Sequence, residues 1–161
     1  MRIILFLLLF CSPAFAGEWT TYSNPRFGVS IDVPPGFVND VPEPENGDGI
    51  TFHSVDGKAE LLVWGNNLVE GDFAADGKSR LQGEKDEGWD VSYQKESGNA
   101  WNVYSGSMSG RIMYARSLAS CQGTQVVHFR IEYSEAQKKD YDTVVARLSK
   151  SLKAGPASDC P

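Results

Sequence analysis

The residues best placed to do chemistry lie in one run, "VVHFRIEYS". His128, Arg130 and Glu132 alternate there with Val127, Phe129, Ile131 and Tyr133. A strand sends alternate side chains to opposite faces, so this spacing puts an imidazole, a guanidinium and a carboxylate on one side and four apolar groups on the other. The apolar side has reason to be covered, since burial stabilises by about 25 cal/mol per Å2. The polar side is expected to stay partly open, with Arg130 near a carboxylate, because an unpaired buried charge costs several kcal/mol. Read as a working surface, His128, Arg130 and Glu132 form a patch that contacts a partner. Read without function, they form an ordinary ion-paired strand face. An open patch of this kind predicts that Arg130→Ala and His128→Ala leave the fold largely intact.

Other chemistries find less support. Nucleophilic catalysis needs a nucleophile, a base and an orienting group brought together, and no "GxSxG" occurs. The alternative to a binding role is a hydrolase whose site joins His128 to a carboxylate and a hydroxyl from distant parts of the chain. Glu60, Asp86, Glu87 and Glu132 are available as paired carboxylates, but any acidic domain offers such pairs. Trp64, Trp89, Trp101 and Tyr104 serve either as core or as a binding platform. In "ENGDGITFHSVDGK", Asn46 and Asp48 are followed by Ile50, which cannot ligate, so no calcium loop is read. Asp56-Gly57 is read instead as a type I′ hairpin turn between two strands. The two histidines, His53 and His128, are too scattered for a zinc site. No metal or other cofactor is expected.

These groups must be positioned by a strand-rich scaffold. "RFGVSIDVP" alternates Phe27, Val29, Ile31 and Val33 against Ser30 and Asp32, a half-buried strand stopped by Pro34-Pro35-Gly36. The stretch from Phe37 to Gly49 is broken by Pro42, Pro44, Asn39 and Asn46 and reads as a loop. Hairpins are expected around Asp56-Gly57, Ser97-Gly98-Asn99 and Gln122-Gly123. "DGKSRLQGEKDEGW" predicts a short helix with Leu81 and Phe73 inward, weakened by Gly77 and Gly83. The C-terminal helix is the clearest element. Tyr141, Val144, Val145, Leu148 and Leu152 recur as one stripe, Ser134 and Gln137 suggest a capping box, and Gly155-Pro156 a stop. The fold class is therefore α+β, an antiparallel sheet of about seven strands flanked by helices, with a strong C-terminal helix.

The chain opens with Arg2, an apolar run over residues 3–10 and "AFA" ending at Ala16, the pattern of a cleaved secretory leader. That run is too short to span a bilayer, which needs roughly 20 residues. The expected domains are a leader, 1–16, and one globular domain, 17–161. Removing Arg2 from the 15 basic residues leaves 14 against 21 acidic ones, a net charge of −7. With no basic run, this argues against nucleic acid or anionic lipid as a partner. Cys121 and Cys160 remain in the exported part and read as one disulfide, worth about 3–4 kcal/mol by chain entropy.

The aromatic start "FGVSIDVPPGF", several hairpins and a terminal "YDTVVARLSKSL" together resemble the PsbP-like fold. Phe27-Gly28, Ile31, Pro34, Gly36-Phe37 and the stripe Tyr141 to Leu152 carry the likeness. That group includes photosystem II extrinsic subunits and small bacterial periplasmic relatives, and the wording is similar to uncharacterised secreted proteobacterial proteins. The resemblance implies an antiparallel sheet flanked by helices and no catalytic residue, since members mostly act as binding or accessory proteins. The expected function is thus an exported, non-enzymatic binding module of the bacterial envelope, periplasmic or secreted, with an exposed loop such as Phe37 to Gly49 available to block a partner. Its partner is an envelope protein or small ligand, and it is a monomer or small homo-oligomer.

Overall fold

The computed structural model describes residues 17–69, 72–158 and 160. The expected leader, 1–16, lies outside them. Ten strands and two α-helices follow in the order β1 (Thr20–Asn24), β2 (Val29–Val33), β3 (Phe37–Val38), β4 (Gly49–Ser54), β5 (Ala59–Asn67), α1 (Phe73–Asp86), β6 (Asp90–Ser97), β7 (Trp101–Met108), β8 (Arg111–Ser120), β9 (Gln125–Ser134), α2 (Lys138–Ser151) and β10 (Lys153–Ala154). Seven strands form one antiparallel sheet in the order β3-β4-β5-β9-β8-β7-β6, and β1-β2-β10 form a small second sheet.

The main core lies between the two sheets and α2. Phe27, Val29, Ile31 and Val33 from β2 meet Leu61 and Val63 of β5, Val127, Phe129 and Ile131 of β9, and Tyr141, Val144, Leu148 and Leu152 from the α2 stripe. The alternation in β2 and the apolar face of β9 are therefore used as their spacing dictates. On the opposite face of the large sheet, α1 lies over a smaller cluster of Trp89, Tyr104, Met113 and Ala115, with Leu81 against it. No helix among the described residues is long and apolar enough to cross a membrane.

Several local expectations change. The β4–β5 connection is a four-residue loop, not a type I′ turn. Asp56 keeps a negative φ while its carboxylate accepts from the Ser54 hydroxyl at 2.6 Å and the Lys58 N–H at 3.1 Å, and only Gly57 is left-handed, at φ 67°. A two-residue turn with both φ positive occurs instead at Ser109-Gly110, between β7 and β8. The segment after Phe37 is not all loop, because Phe37 and Val38 pair with Ser54 and His53. Ser134 and Gln137 form no capping box. The Gln137 amide donates to Asp56 at 3.1 Å, and one 3-10 turn, Glu135–Gln137, leads into α2. The helix ends before Gly155-Pro156, because Lys153 and Ala154 leave it to pair with β2.

Candidate functional site

α1 determines what becomes of the polar face of β9. Its start is fixed by Asp72, whose side chain accepts from the Ala75 N–H at 2.9 Å. Gly77 lets it lie close on the sheet, since a Cβ there would come within 2.4 Å of the Asn102 amide nitrogen. Asp76, Arg80 and Glu84 then recur every fourth residue and form the stripe that meets the strands.

The first meeting point is His128. Arg80 donates to Asp76 at 2.8 Å and to the Asn66 side-chain carbonyl at 2.8 Å. That same Asn66 oxygen lies 3.1 Å from His128 Nε2, so Nε2 carries the proton. Nδ1 is left as the acceptor for the Ser117 hydroxyl at 2.7 Å. The indole of Trp64 stacks on the imidazole at 4.8 Å. Burial, with the Arg80 charge in support, holds His128 well below the usual imidazole range, so the ring is neutral.

The second meeting point is Arg130. Its guanidinium donates to both oxygens of Glu84, at 2.8 and 3.0 Å, and also to Glu132, which Arg111 holds at 2.9 Å. The indole of Trp89 lies 5.4 Å from the guanidinium carbon. Burial works against the charge of Arg130, but the two carboxylates outweigh it and hold the group more firmly protonated than usual.

The partly open patch expected of His128, Arg130 and Glu132 is therefore corrected. The three do share a face, and Arg130 does sit beside a carboxylate, but α1 roofs them. His128 is 2% exposed and the Arg130 side chain 14%. Ser117 and His128 have the spacing of a nucleophile and its base, yet Ser117 is also only 2% exposed and the third group is an amide carbonyl. This arrangement braces a helix on a sheet and presents no attacking atom to a substrate.

The part of that sheet face left uncovered by α1 lies over β4 and β5. There the loop between β3 and β4 arches over the strands and encloses a groove of about 260 Å3, lined chiefly by Val41, Pro42, Pro44, Ile50, Leu62 and Trp64. The groove was not foreseen as a cavity. Its sequence trace is the pair of prolines opposite Leu62 and Trp64, which alternate on β5. The loop is tied down along its length. Asp40 meets His53 at 2.6 Å, Glu43 accepts from the Tyr22 hydroxyl at 3.1 Å, Arg26 holds Asp48 at 2.6 Å, and the Asn24 amide donates to the Gly47 carbonyl at 2.8 Å. Burial pushes the Tyr22 phenol up to about 12.

His53 also lies 3.0 Å from Glu60, so a carboxylate faces each ring nitrogen. The Asp40 contact, more than Glu60, raises its pKa above the usual imidazole value. The two histidines should consequently titrate on opposite sides of 6.5, His53 above and His128 below, in a proton NMR titration of the ring resonances. The contribution of His53 to stability is full below about pH 6.5 and is lost as pH rises through its folded pKa. That of His128 has the opposite sign, being full above about pH 6.5 and lost as pH falls through its folded pKa. Two rings titrating together near 6.5 would contradict both environments.

Cys121, at the β8–β9 turn, is joined to Cys160 beyond β10, with 5.5 Å between their Cα atoms.

No protein-family model matches the chain, and no curated protein matches it in sequence. Solved structures do match in shape. The cyanobacterial PsbP (CyanoP) of Synechocystis sp. PCC 6803 superposes with a TM-score of 0.62 at 12% identity, over 91% of this chain and 98% of that one. The Ran-binding protein Mog1p of Saccharomyces cerevisiae gives 0.63 at 7% identity, over 89% and 98%. With a seven-stranded antiparallel sheet, a small second sheet and a terminal helix in common over nearly the whole described length, this chain has the PsbP-like fold.

Proposed function

We propose that the protein is an exported, non-enzymatic binding module of the bacterial cell envelope. In this reading residues 1–16 are a removed leader, residues 17–161 are one domain, and the partner is a protein engaged at the groove beneath the proline-bearing loop. One observation carries it. The side chains able to do chemistry are buried and spent on one another, whereas the accessible concavity is apolar and prearranged. A loop already held in place loses little entropy when it binds. The fold is shared with a protein described as Ran-binding, which supports protein recognition as a use for it. Site-specific photo-cross-linking from Val41, which is 45% exposed, tests the reading in envelope extract. A discrete adduct that is absent when the cross-linker sits at Val69, exposed far from the groove in sequence, is the expected result. An esterase or peptidase activity abolished by Ser117→Ala, with no adduct from Val41, would favour the hydrolase.

A further inference from the structure

We infer that the groove accepts one or two apolar side chains of a peptide segment whose flanking residues are lysine or arginine. This rests on the binding reading and adds the chemistry of the partner. The size of the groove is the first argument. At about 260 Å3 it falls below the roughly 300–1,000 Å3 of sites that enclose drug-sized ligands, and it suits side chains inserted from a larger molecule. The lining is the second. Val41, Pro42 and Pro44 face Leu62 and Trp64, so the occupant must bring apolar surface.

Charge is the third argument, and it selects the partner. The wall "NDVPEPENGD", residues 39–48, carries Asp40, Glu43, Glu45 and Asp48 and no lysine or arginine. The nearest cations are committed within the chain. Arg26 is bound to Asp48 and to the Asn46 carbonyl, and Arg80 to Asp76 and Asn66. Glu43 meets only a neutral phenol, and both Glu43 and Glu45 are exposed. The rim is thus acidic around an apolar floor, within a chain of net charge −6. An anionic lipid or nucleic acid is repelled, whereas a cationic flank is drawn in and an apolar residue between the cations is held.

The test uses the hexapeptide Lys-Lys-Leu-Phe-Lys-Lys, capped at both ends, against versions flanked by serine or aspartate. Binding to the mature protein is followed by amide NMR shifts and by Trp64 emission. The lysine peptide should bind with shifts centred on residues 41–51 and 62–64, at least tenfold tighter than the serine version, and the advantage should shrink as salt is raised. Glu43→Lys with Glu45→Lys should weaken it at least tenfold, and Val41→Ser should weaken lysine and serine versions alike. Both are exposed loop positions, so melting curves should match the parent. Equal binding of the three peptides, an unchanged dissociation constant in the charge-reversed variant, or shifts elsewhere would overturn the inference. A cross-linked partner at Val41 without binding of the lysine peptide would leave the binding reading standing and remove only the cationic partner. Neither result appearing would remove both.

Discussion

Replacing Glu84 with alanine should lower the melting temperature by roughly 10 °C, the response of a structural ion pair. Glu84 and Arg130 are 11% and 14% exposed at their side chains, and the guanidinium grips both carboxylate oxygens. Removing one partner of a buried pair leaves the other charge uncompensated, at about 3–5 kcal/mol. Glu132 still contacts Arg130, so the lower end, about 3 kcal/mol, applies here. For a domain near 150 residues each kcal/mol corresponds to roughly 2–4 °C. The pair need not be a net gain over an apolar one, so Glu84→Leu with Arg130→Met should recover much of the loss. Thermal melts followed by circular dichroism measure all three proteins. A loss below 1 °C in Glu84→Ala would show that α1 does not depend on the contact and that the patch is freer than its geometry implies.

That contact also explains what could and could not be read from the amino acids. The strand from Val29 to Val33, the apolar face of β9 and the stripe Tyr141 to Leu152 announce themselves because their inward residues are apolar, so periodicity and burial coincide. α1 escapes that logic. Its sheet-facing stripe is Asp76, Arg80 and Glu84, three charged residues that reach neutrality only through partners on β5 and β9, elements apart in sequence. A search for an amphipathic helix reads those positions as the solvent side. The clue available was the four-residue spacing of opposite charges after an Asp able to cap, together with Gly77, which was counted against the helix and marks its closest approach to the sheet. Because the helix was undervalued, the face beneath it was expected to be open, and His128 was given a partner instead of a roof. The turn at Asp56-Gly57 failed differently. Ser54 offers its hydroxyl to Asp56, so a side-chain-bonded loop outcompetes the tighter turn that the dipeptide alone suggests. The disulfide was legible because only two cysteines remain after the leader.

That disulfide sets the other large effect. Reducing it, or replacing both Cys121 and Cys160 with serine, should destabilise the protein by about 4 kcal/mol, the chain-entropy value for a closed loop of this length, the cysteines being 39 residues apart. At roughly 3 °C per kcal/mol the melting temperature should fall by about 12 °C. The location of the loss is as informative as its size. Beyond Leu152 the tail is held by the short β10 pairing with β2, by the Gly155 N–H to Gly28 carbonyl bond at 2.7 Å, and by the Ser158 N–H to Pro25 carbonyl bond at 2.9 Å. At the other end, Cys121, Gln122 and Gly123 all adopt left-handed backbone, with φ of 50°, 57° and 91°, a conformation costly for the first two. The bridge therefore joins a weakly held tail to a strained turn. Release should first raise amide exchange at Gly155 and Ser158 and in the turn, while β2, β9 and α2 keep their protection until global unfolding. Part of the entropy then appears as local fraying, so a melt that falls by less than about 12 °C with strong exchange confined to the tail still fits the bridge. Two thiols alkylated in the native, unreduced protein would contradict it outright, and unchanged exchange at Gly155 after reduction would show that the β2–β10 pairing holds the tail unaided.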